Sequence, residues 1–195
     1  MSTKLSFTMV ESRNSLHFEL EDIDPAKTLL YTETSLGNGE INDLYDLIYI
    51  DPEMFDKMKT LEMAKEIEYL NNLMSRDDRH YILIGPGRWG TRDRFLGIPV
   101  NWAQISMARI IVEISLKNFP LDSSLGSHFF HNVTSMNIGY FSVNDLSNAE
   151  FINWDRLRGE QVIHQTGFFR HIRFKNPVKV LMDGKEKKSV IVENQ

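Results

Sequence analysis

The feature that most constrains the fold is an amphipathic segment that leads into a short apolar one. Apolar side chains recur three or four residues apart over residues 60–74, which predicts a helix with one buried face. Residues 81–84 are an unbroken apolar run, typical of a strand at the centre of a sheet. A helix followed by a buried strand predicts α/β packing. The apolar helix positions are Leu61, Ala64, Ile67, Leu70 and Met74.

Alternating apolar residues predict strands on both sides of this unit. The expected fold class is therefore mixed α/β (α+β): a central mixed sheet with flanking helices and additional β-hairpins at both ends. The hairpins are an N-terminal one at residues 4–20 and a C-terminal β region at 161–193, which contains strands at 168–174 and 178–182. Further predicted strands lie at 29–34, 46–50 and 138–143, and helices at 127–137 and 148–158.

The secondary structure of residues 102–116 is ambiguous, and the start of the helix that precedes the central strand has to be located. Residues 102–116 have helical spacing, but residues 109–115 are rich enough in β-branched side chains to form a strand; we favour the helix. Asp51, Pro52 and Glu53 together predict a helix start, because Asp can cap free N–H groups and Pro suits the first turn. Gly37 and Gly39 predict a turn with positive φ.

Composition limits the partners and the compartment. A chain of 195 residues with 42% hydrophobic residues suits a single domain, either complete or cut from a longer multidomain protein. A net charge of -5 argues against nucleic-acid or anionic-membrane binding. No apolar run reaches the roughly 18 residues that a bilayer span needs, and the chain has no cysteine. These observations predict a cytoplasmic protein.

The most distinctive segment is a glycine-rich loop at residues 85–90, directly after the predicted central strand. Glycines allow backbone N–H groups to approach an anion, arginines match phosphate or carboxylate oxygens, and an indole ring can stack on a base or sugar. The loop is therefore a candidate binding site for a phosphate-bearing ligand. Its candidate ligand-binding residues are Gly85, Gly87, Arg88, Trp89 and Gly90, with Arg92, Arg94, Arg109 and Asn132 as further contributors.

Known nucleotide motifs do not explain this loop. The spacing satisfies G-x-G-x-x-G, but Gly97 and Pro99 would interrupt the helix that a dinucleotide fingerprint requires. No Gly-Lys-Ser/Thr follows, so it is not a Walker A loop. The alternative is a tight turn whose arginines pair with carboxylates such as Asp93 or Glu113.

A second candidate is His128, which is predicted to lie in the first turn of a helix. Exposed helix N–H groups would stabilise negative charge there, so His128 is a weak candidate for a phosphate carrier or catalytic residue. His128 and His131 share a helix face, but no third ligand accompanies them, and we predict no metal site. The alternative is that both histidines cap and pack the helix.

Several segments form a distinctive combination between residues 28 and 145. They are Gly85-Pro-Gly-Arg-Trp-Gly, Leu96-Gly-Ile-Pro-Val-Asn-Trp-Ala-Gln-Ile-Ser, Gly126-Ser-His-Phe-Phe-His-Asn and Ile138-Gly-Tyr-Phe, with Gly37-Asn-Gly and the stretch from Asp43 to Pro52. Together they resemble the carboxy-terminal region of bacterial phosphoenolpyruvate synthase or pyruvate phosphate dikinase-like proteins. The resemblance implies a phosphotransferase with an ATP-grasp portion, a phosphohistidine carrier and in some members a pyruvate-binding barrel.

The family's catalytic residues do not transfer to this sequence. The usual carrier signature, Gly-Gly-x-Thr-Ser-His, is replaced by a run in which two phenylalanines follow His128, and the barrel cysteine has no counterpart. The resemblance thus implies an accessory module that binds a phosphate-bearing ligand, with ATP and Mg required only by the full-length protein. Expected partners are other domains of a longer chain or a second copy. The alternative is a non-catalytic structural or subunit-interaction domain whose arginines form an internal salt-bridge network.

Overall fold

The computed structural model describes residues 23–93, 95–121 and 138–194. The predicted N-terminal hairpin at 4–20 and the predicted helix at 127–137 lie outside the described residues. The described strands are β1 (Thr28–Thr32), β2 (Thr34–Leu36), β3 (Gly39–Ile50), β4 (Tyr81–Pro86), β5 (Arg88–Trp89), β6 (Gly97–Ile98), β7 (Ala108–Ser115), β8 (Gly139–Asn144), β9 (Phe151–Ile152), β10 (Val162–Gln165), β11 (Phe169–Asp183) and β12 (Lys188–Glu193). The described helices are α1 (Thr60–Arg76) and α2 (Trp154–Arg158), and 3₁₀ turns occupy Pro52–Met54 and Trp102–Ile105.

Ten of these strands form one mixed sheet, which confirms the predicted mixed α/β class, although strands outweigh helices. Its centre is parallel: β3 pairs with β4, β4 with β7, and β7 with β8. Antiparallel strands flank this centre, β11 beside β3 and β2 beside β8. The predicted C-terminal hairpin is present as β11 and β12, and it is part of the main sheet.

The sheet curls until its two ends meet. β1 and β2 are separated only by Glu33, yet β1 pairs with β12 and β2 pairs with β8. Ser35 N also donates to the Lys187 carbonyl at the β12 turn (2.9 Å). The apolar side chains on the inner face therefore pack against one another across the curl, and they include Leu47, Ile82, Val112, Phe141, Ile172 and Val180.

Helix α1 covers the outer face of the parallel strands. Ala64, Ile67, Leu70 and Met74 are buried against this face, as the spacing predicts, and Met63, which is not among the predicted positions, is buried as well. Leu61, which shares the predicted spacing, is instead 53% exposed. The buried stripe of the helix is thus shifted from Leu61 to Met63 relative to the sequence pattern.

A buried amide ties α1 to the sheet. Asn71 Oδ1 accepts hydrogen bonds from Tyr81 Oη (3.1 Å) and Met107 N (2.9 Å). Its Nδ2 donates to Ala103 O and Ser106 Oγ, both at 3.2 Å. One side chain of the helix therefore satisfies polar groups on β4, in the second 3₁₀ turn and in the two residues that lead from this turn into β7.

The helix predicted for residues 102–116 is wrong. Only Trp102–Ile105 is helical, as a 3₁₀ segment that begins with a capping box between Asn101 and Gln104. Residues 108–115 form β7, which lies between two parallel neighbours with both faces covered. In that position β-branched residues on both faces favour a strand, and the apparent helical spacing reflects burial on both sides.

Three other expected boundaries also change. The start predicted at Asp51 caps only the 3₁₀ turn at Pro52–Met54, with Asp51 Oδ1 accepting from Glu53 N, and the true helix begins at Thr60. The helix expected at 148–158 is reduced to α2. The two C-terminal strands expected at 168–174 and 178–182 are one continuous strand, β11.

Within the described ranges, no helix combines the length and the apolar character that crossing a bilayer requires.

Candidate functional site

The glycine-rich loop leaves the carboxyl end of β4, but its backbone donors are already used. Gly87 N donates to Ile114 O (3.0 Å), Arg88 N to Leu96 O (2.9 Å) and Gly90 N to Ile98 O (2.9 Å). Trp89 N donates to the Glu113 carboxylate (3.0 Å). Since Pro86 has no N–H, residues 86–90 present no unoccupied backbone donor to an anion.

Trp89 is a core residue. Its side chain is 1% exposed, and its indole N–H donates to Val112 O (3.1 Å). Its ring lies 6.4 Å from that of Phe169, centroid to centroid. The indole face predicted to shield a ligand is therefore covered by protein.

The loop glycines make room for this packing. A Cβ on Gly85 would lie 2.5 Å from Trp89 Cζ2. Gly87 has φ +82°, and a Cβ there would lie 2.8 Å from the Cα of Gly97. Close approach and positive φ thus explain these glycines without a bound phosphate.

The other predicted site residues are dispersed. Arg88 is half-buried and Arg92 is exposed, while Arg94, His128 and Asn132 lie outside the described residues. Arg109 is at the opposite end of β7 from the loop and contacts His80, with Arg109 Nη2 and His80 Nε2 2.9 Å apart. The structure therefore does not bring Arg109 to the glycine-rich loop.

Glu113 is close to the loop, with a role that the sequence only partly suggested. It is 1% exposed. Besides accepting from Trp89 N, it accepts from Tyr140 Oη at 2.5 Å. The carboxylate fastens the loop to the sheet through these two hydrogen bonds.

A different group of charged residues converges on the outer face of the sheet, around Asp46. We call Arg79, His164, His171 and Arg173, together with Asp46, the basic cluster. Asp46 Oδ2 accepts from Arg79 Nε (2.7 Å), and Arg79 Nη2 lies 2.7 Å from the same oxygen. Asp46 Oδ1 is 2.8 Å from Arg173 Nε and 2.6 Å from His171 Nε2. One buried carboxylate thus orients two guanidinium groups and an imidazole.

Local structure explains how Arg79 reaches the cluster. Helix α1 ends in a Schellman motif: Asp78 has φ +50°, its N–H donates to Ser75 O (3.2 Å), and Arg79 N donates to Met74 O (2.9 Å). This turn carries Arg79 from the helix towards β4, whose neighbour β3 holds Asp46 opposite Tyr81.

Strand pairing supplies the remaining members. Arg173 on β11 is the direct cross-strand partner of Asp46 on β3. His171 lies two residues away on the same face of β11, and His164 on β10 is its cross-strand partner. The two imidazole rings are nearly parallel (12°), with their Nδ1 atoms 3.1 Å apart.

The charges in the cluster do not balance. Burial acts to raise the pKa of Asp46, but hydrogen bonds from His171, Arg173 and Arg79 outweigh it and hold the pKa below its usual value. Asp46 is 1% exposed, whereas the Arg79 and Arg173 side chains are each 33% exposed. Two guanidinium ions sharing one carboxylate leave a positive charge within reach of solvent.

A second buried carboxylate, Asp51, has a single arginine. Arg158 from α2 donates to Asp51 through Nε (2.6 Å) and Nη2 (2.8 Å). The hydrogen bonds from Arg158 lower the pKa of Asp51, against the smaller effect of burial. This ion pair joins the end of β3 to α2, and Arg158 also lies 3.4 Å from Glu53 and 3.8 Å from Asp155, so this group has no excess of positive charge.

Sequence reasoning missed the basic cluster, although two signals point to it. Asp46 is the one charged residue in an otherwise apolar strand segment, and a buried charge requires partners. His171 and Arg173 are two residues apart on β11 and therefore lie on the same face of this strand. Neither signal shows that residues 46, 79, 164 and 173 meet. The described residues contain no group of three or more His, Asp or Glu side chains placed to hold a metal ion.

Comparison with known proteins adds no relative: no protein-family model, no curated protein and no solved structure matches the chain. The resemblance to the phosphoenolpyruvate synthase family stays a prediction.

Proposed function

We propose that the chain is a binding module for a phosphate-bearing small molecule, and that the ligand binds at the basic cluster. The resemblance in the sequence supports the same class of ligand, as expected for an accessory module of a phosphotransferase. The proposal moves the site from the glycine-rich loop to Arg79 and Arg173. A cytoplasmic location, and other domains or a second copy as partners, stay predictions.

The observation that carries the proposal is the excess of guanidinium over carboxylate at Asp46. The described residues give Arg79 and Arg173 no other ion-pair partner than Asp46. Arg173 uses only Nε on this carboxylate, so its terminal nitrogens can still donate. Arginine forks of this kind match the oxygens of a phosphate group.

A structural domain is the second candidate, and the Asp51–Arg158 pair favours it. That pair shows that this chain uses a buried carboxylate and an arginine to join two elements. The backbone bonds of the glycine-rich loop are likewise internal. In this alternative, the basic cluster would only connect α1, β3 and β11.

Calorimetric titration of the full chain with inorganic phosphate, phosphoenolpyruvate and ADP distinguishes the candidates. We expect saturable binding of at least one of these compounds. Arg79→Gln and Arg173→Gln should each weaken it about tenfold or more, because each removes a charge-assisted hydrogen bond. The matched control is Arg92→Gln, which makes the same chemical change at an exposed position of the predicted loop region.

The outcomes separate three interpretations. Weakening by Arg92→Gln alone would return the site to the glycine-rich loop. An absence of binding by all three compounds, with a lower melting temperature in Arg79→Gln and Arg173→Gln, would support the structural domain. Circular dichroism of each variant verifies that the fold is retained.

A further inference from the structure

The two histidines of the basic cluster are connected in series to Asp46. His171 Nε2 is 2.6 Å from Asp46 Oδ1, and His171 Nδ1 is 3.1 Å from His164 Nδ1. An ionised carboxylate can only accept, so the hydrogen in the first contact belongs to His171 Nε2. In a neutral His171, Nδ1 then carries a lone pair, and the hydrogen in the second contact belongs to His164. His164 Nε2 is left without a hydrogen and is an acceptor.

This acceptor is open to solvent. His164 is half-buried, and no described residue forms a hydrogen bond to its Nε2. The atom is also not among the buried polar atoms that lack a partner. Arg79 and Arg173 can only donate, so His164 Nε2 adds a chemically different group, an acceptor, to the cluster.

We infer that the ligand carries a hydroxyl group in addition to its phosphate, and that the hydroxyl donates to His164 Nε2. The inference rests on the proposed function, because it requires the phosphate to occupy the arginines. One strand spacing and a two-residue offset separate the backbones of His164 and Arg173 by about 8 Å. A hydroxyl two or three carbons from the phosphate ester oxygen suits that separation. The ligand class is a hydroxylated phosphate monoester, such as a short sugar or polyol phosphate.

Two probes of equal carbon number test the inference: glycerol 3-phosphate and n-propyl phosphate, titrated calorimetrically into the full chain. Glycerol 3-phosphate should bind wild type about three- to tenfold more tightly, the effect of one added hydrogen bond to a solvent-accessible acceptor. In His164→Phe, which keeps an aromatic ring beside His171, the two esters should bind equally. The readout is the ratio of the two affinities within each protein, so any effect of His164→Phe on phosphate binding itself cancels.

Each other result overturns the inference. Equal affinities for the two esters in wild type would contradict the hydroxyl contact but not the phosphate site. This comparison needs no variant. A His164→Phe protein that loses affinity for both esters to the same degree would show that His164 donates to the phosphate. Binding of neither ester would contradict the proposed function itself.

Discussion

Replacement of Gly85 by alanine tests whether the glycine-rich loop serves packing. The added Cβ would lie 2.5 Å from Trp89 Cζ2, 3.2 Å from Cη2 and 3.3 Å from Cε2. Ordinary carbon contacts are about 3.5–4 Å, so the indole must move by about 1 Å. That movement strains the hydrogen bond from Trp89 Nε1 to Val112 O. Overpacking of this kind costs about 1–3 kcal/mol in the free energy of unfolding.

Urea denaturation followed by tryptophan fluorescence measures this cost. Gly159→Ala is the matched control, because a Cβ there meets no heavy atom closer than 3.4 Å and the backbone has φ −79°. Its free energy of unfolding should stay within about 0.5 kcal/mol of wild type. Introducing Gly85→Ala into Trp89→Phe, which lacks the clashing atoms, should cost clearly less than in wild type.

A Gly85→Ala protein as stable as wild type would refute the packing interpretation. Equal costs with and without Trp89 would show that the clash lies elsewhere. Either result would reopen the question of what the glycine does, and a loss of phosphate binding by a stable Gly85→Ala would point back to an anion site in the loop.

Two further predictions concern buried polar groups. Burial, followed by the charge of Arg109, lowers the pKa of His80. The neutral form of His80 therefore contributes stability that is complete above its unfolded pKa of about 6.5 and is lost as the pH falls towards the folded pKa. The free energies of unfolding from urea titrations at pH 7.5 and 5.5 should differ less in His80→Gln than in wild type, and an unchanged difference would contradict this. Asn71→Ala leaves Tyr81 Oη and Met107 N without their acceptor. We expect it to reduce the free energy of unfolding by about 2–4 kcal/mol, measured by thermal denaturation. A reduction below about 0.5 kcal/mol would be inconsistent with this hydrogen-bond network.

Local patterns predicted the elements whose packing they control. The spacing around Ile67 and the apolar run at 81–84 gave α1 and β4, because one buried face or one buried strand leaves a mark in consecutive residues. Residues 108–115 were wrongly predicted to be helical. A strand that is covered on both faces shows no alternation of apolar and polar side chains, and its apolar positions also satisfy helical spacing. The closure of the sheet through β1 and β2 depends on pairings between distant segments, which no local pattern contains.

The same reasoning explains why the two candidate sites differ in how visible they are. Glycine, arginine and tryptophan in the loop at 85–90 are close together in the sequence, so they suggest a ligand site. In the structure, however, Trp89 and the backbone donors form hydrogen bonds within the protein. In the basic cluster, Asp46 and Arg173 are 127 positions apart and meet only because β11 pairs with β3. Their chemistry follows from the count of charges after folding: one carboxylate cannot neutralise two arginines. That imbalance, which a list of motifs cannot reveal, makes the basic cluster the better candidate for an anion site.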